Sequence, residues 1–398
     1  MFIHGKPFSD LDETDIQSLI DDQVTEGKSI EYKSSLPRNS DRDKKEFLAD
    51  VSSFSNSAGG YLLYGITEEN GLPKGLIGLD DIDPDAQILR LENLLRDGIA
   101  PRIPSLNIRS ITIENKGPVI AIRLPKSWVS PHMVTFAGGS RFFARNSAGK
   151  YQLDVFELRL AFDATNVEGE RLRNFRTERI SRIIAGETPI PMGEKAKVIM
   201  HLIPVSAFDT GVQYDLRELQ LSPNPENLAP IYATYGSNLR FNFDGILTSE
   251  KPHDADPAVS YLQVFRNGTI ESACTSLFKH DTGGRAPFIP SIRFEEELVE
   301  SLRKYLRVQN ALEIELPYFL LISLVGVKGY NLPTKEFAGF YGDNLIDRND
   351  LSVPEILIED SSLPPETILK PAFDAIWNAA GLPQSPFYDK EGTWNPSW

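Results

Sequence analysis

Glu26 and Glu31 stand five residues apart in the stretch EGKSIEYKSS, and Lys33 follows two residues after the second. A third acid, Glu68, lies just past the apolar run YLLYGI. Clustered carboxylates repel one another unless a divalent cation sits among them. Mg²⁺ or Mn²⁺, held by a few carboxylates, water and a substrate phosphate, is the fitting ion. Such an ion can activate water and stabilise the leaving oxygen in phosphodiester cleavage. For the acids to converge, residues 30–34 and 61–66 must pair as strands. The two-residue period then puts Glu31 and Lys33 on one face, opposite Ile30 and Tyr32, with Glu26 closing from the preceding turn. The same residue types also fit a blander arrangement, acids solvated at strand ends with Glu31 and Lys33 merely paired.

Other chemistries find less support. ARNSAGKY gives A-x-x-x-x-G-K over residues 144–150, but Tyr151 stands where a phosphate loop needs Ser or Thr. No helix is predicted directly after Lys150, so the segment reads as a turn. NSAGG reads as a helix-to-strand turn whose glycines supply positive φ. No G-x-G-x-x-G occurs in a strand–turn–helix setting, and no ATP is expected. There is no G-x-S-x-G elbow. The five histidines, His4, His132, His201, His253 and His280, lack zinc-ligand spacing and read as ordinary surface or core residues. The single cysteine, Cys274, excludes an intramolecular disulfide framework and a cysteine-based zinc site, and fits a reducing compartment.

The elements that must position these residues follow from periodicity. SDLDETDIQSLIDDQV predicts a helix with Ser9 or Asp10 as N-cap. KSIEYKSSL predicts a short strand, and DRDKKEFLADVSSFSNS a helix with Phe47, Leu48, Val51 and Phe54 on its apolar stripe. YLLYGI reads as a strand buried on both faces. DPDAQILRLENLLRDGI is a further helix with an Asp83-Pro84 start. SLNIRSITIEN and GPVIAIRLP form a hairpin around Asn115-Lys116-Gly117. SRFFARN is a strand and DVFELRLAFDA a closing helix. The prediction is an α+β chain with three parts: a first domain over 1–162, a helical linker over 163–193, and a second mixed domain over 194–398. In the second domain SYLQVFRNGTIES is a hairpin turning at Asn267-Gly268, YFLLISLVGV a strand, and LPQSPFYDKEGTWNPSW an extended tail.

A length of 398 residues suggests two or three domains. The net charge of −15 argues against a chain coated in nucleic acid. Residues 1–160 hold 19 Lys and Arg against 23 Asp and Glu, and the remainder 22 against 33. A local basic groove in the first part is therefore permitted. Its candidates are Lys44, Lys45, Arg102, Arg109, Arg123, Arg141 and Arg145, with Asn146 and Ser147 as phosphate donors. The most apolar run, residues 316–327, is too short to span a bilayer. The first residues carry neither a basic nor an apolar leader segment. The expectation is a cytoplasmic protein with no membrane partner.

EGKSIEYK, then FLADVSSFSNSAGGYLLYGITEENGLPKGLIG, then SRFFARNSAGKYQLD together resemble the Schlafen-type AlbA-like domain, over about residues 15–160. The family pattern runs E-x-x-x-x-E-[FY]-K, a helix into A-N-x-x-G-G-x-[LI]-x-x-G-[VI], a G-x-x-x-G turn and a late R-x-[GN]-S strand. The resemblance implies nucleic-acid binding, with RNA favoured over DNA. In nuclease-competent members it implies a metal-dependent endoribonuclease for tRNA or rRNA. The metal ligands and catalytic acids then map onto Glu26, Glu31 and Glu68, the phosphate-side lysine onto Lys33, and an arginine that positions the backbone onto Arg145. Lys44, Lys45, Arg141 and Asn146 complete the expected nucleic-acid contacts. Glu68 replaces the usual Asp and is a methylene longer. Animal members fuse two copies into a horseshoe, whereas this chain carries one, so a homodimer is implied. Phage defence or a stress response is the implied setting. The alternatives are a non-catalytic DNA- or RNA-binding regulatory module and, more weakly, an ATP-binding regulator. The second domain is expected to serve sensing, partner binding or dimerisation.

Overall fold

In the computed structural model the residues described are 8–104, 106–209, 211–221, 224–233, 238–253, 256–279, 286–333 and 345–396. They form two units, Met1–Glu170 and Arg171–Trp398.

Unit 1 begins with α1 (Glu13–Asp21), β1 (Ile30–Lys33) and α2 (Asp41–Ser55), then β2 (Gly60–Tyr64), β3 (Ile66–Glu69) and β4 (Leu72–Leu76). It continues through α3 (Pro84–Gly98), β5 (Ile99–Ala100), β6 (Asn107–Ile111), β7 (Val119–Leu124), β8 (Met133–Val134), β9 (Arg141–Asn146) and β10 (Gly149–Gln152) into α4 (Val155–Ile184). The pairing of β1 with β2 that convergence of the acids required is present. It is parallel, with Glu31 opposite Leu62 and Lys33 opposite Tyr64. The sheet order β1-β2-β7-β6 makes a mixed sheet, and β10-β9-β8-β5 a second one. Alternation along β1 and β2 divides the core in two. Ile30, Tyr32, Tyr61 and Leu63 pack with Ile16 and Leu19 of α1. Leu62 and Tyr64 face the other way, onto Phe47, Val51 and Phe54 of α2 and Leu91 and Leu95 of α3. The Glu31 and Lys33 face of β1 is therefore the α2 face.

The NSAGG turn behaves as its glycines require. Gly59 and Gly60 have φ of 72° and 153°. A Cβ on Gly60 would lie 2.3 Å from the Ser29 carbonyl oxygen, so only glycine lets α2 hand the chain directly into β2.

Three expectations for residues 1–184 need correction. The N-cap of α1 is Asp12, not Ser9 or Asp10. Its carboxylate accepts the Thr14 amide at 2.8 Å, and Asp15 accepts the Asp12 amide at 2.9 Å, a reciprocal capping box. The closing helix and the charged linker helix are one element, α4, since no proline interrupts residues 155–184. The division between the units falls inside it. The strands β3, β4, β5, β8 and β10 were not expected, because two- to five-residue pairings leave too little periodicity to read.

Unit 2 contains β11 (Lys197–Pro204), α5 (Arg217–Gln220), β12 (Arg240–Phe241), β13 (Gly245–Glu250), β14 (Ser260–Phe265) and β15 (Ile270–Cys274). After α6 (Ser291–Ala311) come β16 (Tyr318–Val325), β17 (Asp350–Ser352), β18 (Ile356–Ile358) and α7 (Pro365–Ala379). The strands form an antiparallel sheet in the order β12-β13-β14-β15-β11-β16-β17, with β18 also on β16. The β14–β15 hairpin turns at Gly268 with φ of 83°. Leu298 and Leu302 of α6 and Phe373 and Trp377 of α7 cover one face. Leu172, Phe175 and Ile183 of α4 pack on the other.

The C-terminal segment is anchored rather than an extended tail. Buried Glu295 accepts hydrogen bonds from Trp377 Nε1 (2.8 Å), Ser385 Oγ (2.7 Å) and Trp394 Nε1 (2.9 Å). A buried carboxylate must find such donors, and these three tie residues 385–394 to α6 and α7. Among the described residues no helix is long and apolar enough to cross a membrane.

Candidate functional site

Glu31 points from β1 into the space under α2, where it is buried. Its Oε1 pairs with Lys33 Nζ and its Oε2 with Arg145 Nη2. The strand period places Lys33 on the same face of β1. Arg145 arrives from β9, whose amide at that residue donates to Ser57 Oγ at 2.8 Å. The Arg145 guanidinium lies 4.1 Å from the centre of the Phe54 ring and donates through Nε to the Gly27 carbonyl at 2.8 Å. Burial pushes its pKa down to about 10, and the charge of Glu26 opposes that fall. With a side chain only 4% exposed, Arg145 does not reach a phosphate backbone in this arrangement. Its observed role is to neutralise Glu31 and pin β9 against β1 and α2.

Glu26 and Glu68 flank one residue, Gly71. The Glu26 amide donates to the Gly71 carbonyl at 2.7 Å, and the Gly71 amide donates to Glu68 Oε2 at 2.8 Å. Glu68 lies on β3 beside a register shift in the β3–β4 hairpin, and is exposed. Glu26 Oε1 accepts the Tyr32 amide at 2.8 Å, which carries its carboxylate to β1. Burial and the Glu26 charge raise the Tyr32 hydroxyl pKa, and that hydroxyl donates to the Val24 carbonyl at 2.8 Å. Glu26 and Glu68 thus meet around Gly71 while Glu31 lies under α2, and each of the three already has a partner inside the protein. Among the described residues no three His, Cys, Asp or Glu side chains are grouped to hold a metal ion. As arranged, with Glu31 engaged by two cations, the donor set does not fit Mg²⁺ or Mn²⁺, which require free carboxylate oxygens at about 2 Å.

A further acid belongs to this site and was not anticipated. Asp50 sits on the buried stripe of α2, three residues after Phe47 and four before Phe54. It is 2% exposed, and its Oδ1 bonds Lys150 Nζ at 2.6 Å. Lys150, the lysine of the phosphate-loop look-alike, also pairs with Glu46. Burial raises the Asp50 pKa, with Lys150 and then Lys33 pulling it down. An aspartate on an apolar helix stripe was the only signal in the sequence.

The other predicted nucleic-acid contacts divide. Lys45, Arg141 and Asn146 are exposed, and Lys44 lies 5.9 Å from the Phe136 ring centre. Asn146 Oδ1 accepts the Ala148 amide at 2.8 Å, closing the β9–β10 turn. Arg109 is spent on the carbonyls of Phe8 and Ser9. Asn56, which caps α2, donates to the His132 and Phe143 carbonyls, both at 2.9 Å, and accepts the His132 amide at 2.7 Å. His132 is therefore a core residue.

Unit 2 carries its own buried ionic cluster. Glu271 receives a bidentate pair from Arg179, at 2.7 and 2.8 Å, and contacts His201 Nε2 at 2.9 Å. Tyr261 donates to the same carboxylate at 2.8 Å. Burial alone would raise the Glu271 pKa, but Arg179 and His201 together hold it at about 2. His253 is exposed, and His4 and His280 lie outside the described residues.

Residues 26–154 match the family model described as Schlafen, AlbA_2. No curated protein matches the chain. Among solved structures, the DIP2311 protein from Corynebacterium diphtheriae aligns at 18% identity over 35% of this chain. The alignment covers 27% of that protein, with a TM-score of 0.24, a likeness too slight to carry an argument.

Proposed function

Taking residues 26–154 as a Schlafen AlbA_2 domain, we propose that unit 1 is a nucleic-acid-binding module with RNA as its favoured target. Lys33, Lys45 and Arg141 meet phosphates in this reading, while Arg145 and Glu31 hold the site together. The observation that carries it is the double pairing of Glu31. That carboxylate serves as an internal counter-charge to Arg145, and Lys33, 37% exposed, is the member of the trio that a phosphate can approach. Binding here proceeds by exchange of an internal carboxylate for an external phosphate, which the acidic balance of the chain allows. A homodimer, presenting two such surfaces to one RNA in defence or stress, extends the proposal.

Metal-dependent RNA cleavage is the second reading. What favours it is that the Glu26 backbone and the Glu68 carboxylate both bond Gly71, which brings these two predicted acids into one neighbourhood. It requires Glu31 to leave both of its cations. One experiment separates the two. The full chain is incubated with structured tRNA and with duplex DNA, in Mn²⁺ or EDTA, beside Lys33→Ala and Glu26→Gln variants. Binding in EDTA that weakens in Lys33→Ala, without cleavage, is the expected result. Cleavage that needs Mn²⁺ and disappears in Glu26→Gln establishes the second reading. Neither binding nor cleavage refutes both. Light scattering at micromolar concentration tests the dimer.

A further inference from the structure

Unit 2 holds a pocket of about 480 Å³ on α6, within the range of about 300–1,000 Å³ usual for small-molecule sites. Residues three or four apart on a helix are neighbours, so Arg293, Glu297, Glu300 and Lys304 line it in that order along one face of α6. Two aromatic residues complete the lining. Trp394 comes from the C-terminal segment, its Nε1 fixed on buried Glu295 at 2.9 Å. Tyr232 holds a φ of 65°, a backbone that bulky residues rarely adopt, and its amide donates to Glu297 Oε2 at 3.1 Å. Arg293 Nη2 pairs with the other oxygen of Glu297 at 2.5 Å, and its guanidinium lies 5.3 Å from the Tyr232 ring centre. That end of the pocket is satisfied internally.

The other end is not. Glu300 Oε2 bonds Arg303 Nη1 at 2.5 Å, and Glu300 Oε1 is left 4.0 Å from Lys304 Nζ. A glutamate four residues before a lysine ordinarily closes onto it, but this pair stands open, beyond hydrogen-bond distance. The Lys304 side chain is only 14% exposed, and among the described residues its ammonium has no closer carboxylate. A largely covered ammonium calls for acceptors, and the pocket is where they can come from.

We propose that this pocket binds a free α-amino acid, with the ligand carboxylate on Lys304 and the ligand ammonium on Glu300. An α-amino acid carries both charges on one carbon, so it can meet a carboxylate and an ammonium held side by side and apart. Its side chain then lies in the space bordered by Trp394. The charge of the lining argues against a polyanion. Glu296, Glu297 and Glu300 stand against Arg293, Arg303 and Lys304, so a nucleotide meets repulsion alongside attraction, whereas a zwitterion meets a partner for each of its charges. The inference is independent of the nucleic-acid reading of unit 1.

The test titrates the full chain by calorimetry with each common α-amino acid at millimolar concentration, and with AMP. The amino acid that binds is then compared with its deaminated and its decarboxylated analogue. One amino-acid site per chain is expected, with both analogues and AMP binding far more weakly. Lys304→Met and Glu300→Gln should each weaken the binding roughly ten- to hundred-fold, the worth of a charge-assisted hydrogen bond. Circular dichroism melts check that the variants fold, and if Glu300→Gln fails because Arg303 is released, Lys304→Met decides. Heat from no amino acid overturns the inference, as does binding that Lys304→Met leaves unchanged. An amino acid bound no better than its deaminated analogue, or AMP bound in its place, overturns it too, because the site is then one for anions. None of these outcomes bears on RNA binding by unit 1.

Discussion

Replacing Glu271 by glutamine should cost unit 2 about 3 kcal/mol at neutral pH. Glu271 is fully buried on β15, and its carboxylate is shared by Arg179, His201 and Tyr261. Burial raises a carboxylate pKa, so a folded-state value held down at about 2 against an ordinary 4.5 reflects Arg179 and His201 outweighing burial. At 1.36 kcal/mol per pH unit the difference corresponds to about 3 kcal/mol. Glutamine keeps the shape but places an amide N–H₂ against the Arg179 fork, leaving a buried cation without its counter-ion. Breaking a buried pair by removing one partner typically costs about 3–5 kcal/mol, consistent with that figure. For a unit of this size the loss lowers the melting temperature by roughly 6–12 °C. The sign of the pH dependence follows from linkage. A depressed carboxylate contributes stability that is complete above the unfolded pKa and is lost as pH falls through the folded pKa. The gap between the unaltered chain and Glu271→Gln should therefore be constant from pH 7 to about 5 and close progressively toward pH 2. Urea unfolding followed by tryptophan fluorescence suits the measurement, because Trp377 and Trp394 both bond to Glu295 within unit 2. A Glu271→Gln chain as stable as the unaltered one, or a gap that does not narrow in acid, would refute the reasoning.

Two further outcomes test unit 1. Asn56→Ala removes three hydrogen bonds that join the end of α2 to His132 and Phe143; with two carbonyls and an amide left unpaired, a loss of about 2–4 kcal/mol is expected in urea unfolding, and a loss below about 0.5 kcal/mol would show that water replaces the side chain. Glu31→Ala strands the buried Arg145 guanidinium and should destabilise unit 1 by about 3–5 kcal/mol, whereas Glu31→Leu combined with Arg145→Met should recover most of that loss; equal instability of the single and double variants would contradict the pairing.

How much of this was legible beforehand depends on whether the determining contact is local. The strand at Ile30 follows from alternation, which also put Glu31 and Lys33 on one face, whereas its pairing with Tyr61 is a long-range contact that the sequence posed only as a condition. The NSAGG turn was legible because positive φ is a property of the residue itself. Asp12 was missed as the N-cap because Ser9 and Asp10 are equally good cap residues, and only the return bond from Asp15 decides among them. Arg145 was read as a surface cation because a strand's period does not say which face is covered. That choice is made by Phe54 and Gly27, which lie more than 90 residues away in sequence. Asp50 left one signal, an acid on an apolar helix stripe, but the lysine that compensates it comes from β10, 100 residues away, so the pairing could not be read.

The same long-range pairing bears on how an acidic chain can bind a polyanion. Surface lysines ordinarily attract phosphates by their own field, and a net charge of −15 works against that. Around β1 the cations are already neutralised by Glu31, Asp50 and Glu46, so the site presents little field at a distance. Association should then lack strong electrostatic acceleration, and discrimination should come from the exchange at Lys33, which only a closely fitted phosphate can win. A ligand that meets the shape of the site gains Lys33, and one that merely carries charge does not. That predicts weak non-specific binding together with a salt slope of few phosphates, in contrast to a basic groove, where both are large.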